Sequence, residues 1–232
     1  MRDVFRDRVE AGQLLAERLA KYAHRKDVIV LGLPRGGVPV AFEISSRLGV
    51  PLDVLVVRKL GAPGQPELAM GAIGSGGVRV IDQDVVRLLR VSPRFLEAVA
   101  AGEERELRRR EQLYRGHGAS PEIRGKTVIL VDDGIATGST MRAAGRVLGR
   151  QHPARLVIAV PTVPAACHQE LSREVDEMVA LMTPEEFFAV GQWYEDFSQT
   201  SDAEVTRLLE LAGHRPEAGR AQAAVPWQSS RS

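Results

Sequence analysis

The chain alternates between two hydrophobic patterns. From Arg8 to Ala23 the apolar residues Val9, Leu14, Leu15, Leu19 and Tyr22 recur at helical spacing, which predicts an amphipathic first helix. Short continuous apolar runs follow at 27–34 (DVIVLGLP), 52–60 (LDVLVVRKL), 126–133 (KTVILVDD) and 154–161 (ARLVIAVP), with a further one at 178–182 (MVALM). Runs of this kind suit strands buried on both faces. Helical stretches lie between them, at 37–49 (GVPVAFEISSRLG) and 139–150 (STMRAAGRVLGR), and strand–helix alternation argues for a parallel α/β sheet. Ser92-Pro93 opens a long charged helix from about Pro93 to Tyr114, whose EERELRRRE run is a solvated face. The glycine-rich stretch from Gly61 to Gly77 has no helical pattern and is expected to be a loop. Ser201 and Glu204 form a capping box that starts a last helix ending near Gly213. Residues 214–232, rich in Pro, Gly, Ala and Ser, are expected to form a disordered tail.

Composition narrows the function classes. With 232 residues, 44% of them hydrophobic, the chain can bury a core. Its 31 Lys and Arg against 30 Asp and Glu leave no bulk charge that calls for nucleic acid or an anionic membrane, so an anion site has to be local. The single cysteine, Cys167, excludes an internal disulfide framework and a cysteine zinc cluster, and suits a buried helix position. The charged N-terminus lacks a signal-peptide pattern and no segment nears the length of a membrane span, so a cytoplasmic protein is expected.

The chemistry concentrates in VILVDDGIATGST, Val128 to Thr140. Four apolar residues deliver Asp132 and Asp133 to the carboxyl edge of the sheet, where open α/β folds bind ligands. A loop of Gly134, Ala136, Thr137, Gly138, Ser139 and Thr140 then leads into a helix. Backbone N–H groups, three hydroxyls and the helix N-terminus make this a phosphate cradle. The two carboxylates can accept hydrogen bonds from sugar hydroxyls and help hold a partly hydrated Mg²⁺. A Walker A loop would require a GxxxxGK[ST] pattern, which is absent, and a Walker B strand would have no such loop to serve. A plain strand and glycine turn would explain the glycines but not two acids followed by three hydroxyl residues.

This segment resembles the signature by which type I phosphoribosyltransferases bind phosphoribosyl pyrophosphate (PRPP), and the resemblance runs over about residues 27–165. It implies a parallel five-stranded core under a smaller hood. Asp132 and Asp133 would take the ribose and Ala136 to Thr140 the 5′-phosphate. In the place of the family's pyrophosphate loop stands Leu33-Pro34-Arg35-Gly36-Gly37, whose glycines expose N–H groups and whose Arg35 can fork to a diphosphate. Family members often carry a non-proline cis peptide there; taken alone, PRGG is also a generic turn. Arg58-Lys59 and the stretch about 60–77 resemble the start of the closing lid of orotate phosphoribosyltransferases, although the further Lys and His of that lid are missing. A bland surface loop is the alternative.

FFAVGQWYEDF, Phe187 to Phe197, loosely resembles the base-binding segment of hypoxanthine–guanine enzymes, which makes Val190, Trp193, Tyr194 and Asp196 candidates for the acceptor. Packing of the aromatics into the core is equally open. The resemblance implies one domain over residues 1–213, with the acceptor-binding part of the hood at about 183–200. It further implies transfer of the phosphoribosyl group from PRPP, with Mg²⁺, to a small-molecule acceptor left unnamed, with Asp132, Asp133 and Arg35 as the catalytic set. A homo-oligomer, most simply a dimer, is expected. The competing function is a PRPP-binding sensor without turnover.

Overall fold

A computed structural model describes residues 4–116 and 120–213. The tail expectation for 214–232 lies outside the described residues. In chain order the elements are α1 (Arg8–Arg18), β1 (Val28–Gly32), α2 (Gly37–Leu48), β2 (Leu52–Val54), β3 (Val57–Ala62), β4 (Gln65–Gly74), β5 (Val78–Ile81), α3 (Gln83–Leu88) and α4 (Pro93–Arg115). They continue with β6 (Thr127–Val131), α5 (Ser139–Gly149), β7 (Arg155–Thr162), α6 (Ala165–Leu171), β8 (Glu177–Met182) and α7 (Asp202–Gly213).

Five strands form the parallel sheet the apolar runs predict, in the order β2-β1-β6-β7-β8. All five residues of β1 and of β6 are buried, because helices cover both faces. Strand alternation sends Ile29, Leu31, Val128, Leu130, Ile158 and Val160 toward α5 and α6. It sends Val28, Val30, Ile129, Val131, Val157 and Ala159 toward α1 and α2. In α1 the buried stripe is Ala11, Leu15 and Ala16, while Val9 and Leu14 turn outward.

Two expectations need correction. The run 52–60 is not one strand: β2 ends at Val54 on the edge of the parallel sheet, and β3 begins at Val57 in a second sheet. Leu55 and Val56, buried as the chain crosses between the sheets, keep the hydrophobic run continuous and hide the break. The stretch 61–77 is not an irregular loop either. β3, β4 and β5 form an antiparallel hood, with irregular register around Gly61. Pro63 and Gly64 turn the β3–β4 hairpin, Gly64 adopting a φ of 68° that favours glycine.

α4 closes the hood. Its buried residues Ala100, Leu107 and Tyr114 recur every seven positions, so they form one stripe against β3 and α7. The charged run faces outward and pairs along the helix, Arg108 with Glu104 and both Arg109 and Arg110 with Glu106. Among the described residues no helix is long and apolar enough to cross a membrane.

Candidate functional site

β1 and β6 lie side by side and end together, with Gly32 opposite Val131. Their following turns therefore meet, and the Leu33 N–H donates to the Val131 carbonyl at 2.8 Å. The Pro34–Arg35 peptide is cis. Gly36 and Gly37 are glycines because the acidic pair leaves no room. A Cβ on Gly36 would stand 1.9 Å from Asp133 Oδ2, and one on Gly37 would stand 2.7 Å from the Val131 carbonyl oxygen. A generic turn would carry no such restriction from a segment so distant in sequence. Arg35 is partly exposed; its carbonyl accepts the Val38 N–H at 3.1 Å.

The turn after β6 is equally constrained. The Asp133 N–H donates to Asp132 Oδ1 at 2.9 Å. Removal from water, and then the charge of Asp133, push the Asp132 carboxyl well above the usual carboxylate range. Ile135, buried at 3% exposure, pins the loop by donating its N–H to the Thr162 carbonyl at 2.9 Å. Gly138, at φ 74°, caps α5. Ala136, Thr137 and Thr140 are exposed, and the Ser139 N–H donates to Thr137 Oγ1 at 3.4 Å. Gly138 also packs over Cys167, which is buried as the sequence suggests.

The hood supplies a cation to this loop: Lys59 Nζ lies 3.5 Å from Ser139 Oγ. Arg58, expected beside it on the ligand, has its own partner. Neighbouring residues of a strand point to opposite faces. Arg58 pairs with Glu103 of α4 at 2.7 Å.

The aromatic segment divides in the same way. Val190 lies against Gly134, where an added Cβ would come within 2.4 Å of Val190 Cγ1. Trp193 stacks on Phe187 with ring centroids 6.0 Å apart, and its indole N–H is buried without a partner among the described residues. Asp196 is exposed and accepts the Ser198 N–H at 2.9 Å. Tyr194 is core. Its ring, 6% exposed, sits between Phe5 and Phe197, and its hydroxyl donates to the Asp133 carbonyl at 2.6 Å. With its ring buried and its hydroxyl engaged, it supports the acidic pair from behind and is not available to stack on an acceptor. Burial raises its pKa above the ordinary tyrosine value.

Sequence reasoning missed Arg8. Its Nε and Nη2 both lie 2.8 Å from Asp133 Oδ2, in a pair only 11% and 15% exposed. In the sequence Arg8 is one charge among many in MRDVFRDRVE, and nothing there sets it apart.

Among the described residues no group of three or more His, Cys, Asp and Glu side chains could hold a metal ion. The available donors are the oxygens of Asp132 and Asp133, which fit a hard cation that takes its remaining ligands from a phosphorylated substrate and from water.

A parallel sheet under an antiparallel hood, with an acidic pair and phosphate-type loop at its carboxyl edge, defines the type I phosphoribosyltransferase class of fold. The model of the phosphoribosyl transferase domain matches residues 7–196, and the chain belongs to that family. A Mycobacterium tuberculosis protein (strain H37Rv), "Putative phosphoribosyl transferase Rv0571c", is 50% identical over 225 residues, which cover 96% of this chain. Its counterpart in strain CDC 1551 matches equally well. The chain spans about half (50%) of the length of these curated relatives. The crystal structure of TT1426 from Thermus thermophilus is similar at 45% identity and a TM-score of 0.81, over 89% of this chain and 97% of that one.

Proposed function

We propose that this domain transfers the 5-phosphoribosyl group of PRPP to a small-molecule acceptor and releases pyrophosphate. The observation that carries the reading is the meeting of the two turns, with Gly36 and Gly37 closed against Asp133 and the end of β6. The turn at Pro34–Gly37 thereby lies against the acidic pair, and the glycine-hydroxyl loop follows that pair directly in the chain.

Each part has a task set by its chemistry. Asp132 and Asp133 accept hydrogen bonds from the ribose hydroxyls and fix the sugar. The N–H groups and hydroxyls from Ala136 to Thr140, at the start of α5, hold the 5′-phosphate, and Lys59 adds its charge beside Ser139. Arg35 and the N–H groups of Gly36 and Gly37 stabilise the charge that builds on the departing pyrophosphate. A Mg²⁺ ion, held by Asp132 and Asp133 together with the diphosphate, would supply further charge neutralisation. As the bond from ribose C1 to the diphosphate breaks, the sugar gains oxocarbenium character and the acceptor forms the new bond. The chain's contribution is positioning and the exclusion of water. A flat acceptor would rest beside Val190, which packs against Gly134, and the Phe187–Trp193 pair, whose apolar surfaces suit it. Stacking tolerates many ring systems and does not choose among them.

The test is pyrophosphate release from PRPP and Mg²⁺ in the presence of nucleobases and small amines, one at a time. Release that depends on one acceptor supports transfer and names the substrate. PRPP binding without release under any acceptor would replace transfer by the sensor function.

A further inference from the structure

Arg8 has contacts that the proposed reaction does not use. Its guanidinium is engaged in three directions. Nε and Nη2 converge on Asp133 Oδ2, each at 2.8 Å. Nη1 donates to the Ser198 carbonyl at 2.7 Å, and the flat of the group lies 4.0 Å from the Phe197 ring centroid. The turn that carries Arg8 is itself fixed, since Asp7 caps α1 by accepting the Glu10 N–H at 2.8 Å.

The chain just before Arg8 is stitched to the same C-terminal segment. Phe5 N–H donates to the Trp193 carbonyl at 2.8 Å, Glu195 N–H to the Phe5 carbonyl at 2.8 Å, and Asp196 N–H to the Arg6 carbonyl at 2.9 Å. Tyr194, within that segment, donates to the Asp133 carbonyl. Asp133 is thus held at its carboxylate by Arg8 and at its main chain by Tyr194, two residues of one clamp.

We infer that Arg8 is a positioning residue, which fixes the Asp133 carboxylate toward the ribose and ties to it the segment 193–198, which follows the proposed acceptor place at Val190 and Trp193. The inference rests on the proposed reading of Asp133 as a ribose ligand. Two adjacent carboxylates repel, and without a counter-charge Asp133 would turn away from Asp132 into water. A guanidinium that also stacks on Phe197 and holds Ser198 removes that freedom and makes the order of the aromatic segment depend on the charge of Asp133. A lysine keeps the charge but not the fork.

The test is a double-mutant cycle on the whole chain, read by calorimetric titration with PRPP and Mg²⁺, with thermal melts as the control for folding. Arg8→Gln should weaken PRPP binding about tenfold or more, the loss of a charge-assisted contact, and Arg8→Lys should fall between it and the wild type. In an Asp133→Asn background the Arg8→Gln change should matter less than about twofold, because its partner is already gone. A folded Arg8→Gln protein that binds like wild type, or effects that simply multiply, would overturn the inference. If the wild type itself does not bind PRPP, the proposed function fails instead. The clamp is then judged by hydrogen exchange alone: amides 193–198 should exchange faster in both single variants, and unchanged exchange would overturn the clamp.

Discussion

The two neighbouring acids differ in what surrounds them. Asp133 has Arg8 as a close counter-charge, whereas the Asp132 carboxyl is pushed upward by burial and by Asp133 itself. Their neutral variants should therefore move stability in opposite directions. Asp132→Asn removes a repulsive charge and should raise the melting temperature slightly. Asp133→Asn strands a nearly buried guanidinium and should lower stability by about 2 kcal/mol, the scale of a lost charge-assisted hydrogen bond. Thermal melts of the two variants beside the wild type check this. Equal shifts of the same sign would show that Arg8 does not distinguish the acids. At this scale the motif VILVDDGIATGST was legible, because an apolar run, two acids and three hydroxyls occur within thirteen consecutive positions of the printed sequence. Arg8 and the role of Tyr194 were not legible. Both act across more than sixty positions of chain, on Asp133, through contacts that leave no local pattern.

Elements were legible in proportion to how evenly their surroundings bury them. The runs that became β1, β6 and β7 announced themselves because helices cover both faces and nearly every inner position is apolar. The β3–β4 hairpin did not. Gly61, Gly64, Gly71 and Gly74 interrupt any alternation, and the direction of Arg58 and Lys59 could be assigned only once they lay on a strand. The hairpin remains the element best placed to move with the ligand. Gly74 packs against Val147 of α5 at its base, while the turn at Pro63 and Gly64 has open space around the Gly64 Cα. Hydrogen exchange should be slow at Ala72 and Ile73, faster from Gly61 to Gln65, and slower in that tip when PRPP and Mg²⁺ are added. A tip already as protected as β6 in the free protein would mark the hairpin as a fixed wall.

For the molecule as a whole, the strand order and the hood place every proposed ligand group at one edge: Arg35 after β1, the acids after β6, Lys59 from the hood and the aromatics after β8. The central claim is that this edge binds PRPP through its acidic pair. Calorimetric titration with PRPP and Mg²⁺, on the wild type and on a folded Asp132→Asn, Asp133→Asn double variant, tests it most directly. Each lost charge-assisted hydrogen bond contributes about 1.5–3 kcal/mol, so the account predicts binding by the wild type and an affinity at least about tenfold weaker in the double variant. Unchanged affinity in the folded double variant would contradict it and remove the acidic pair from the ligand site.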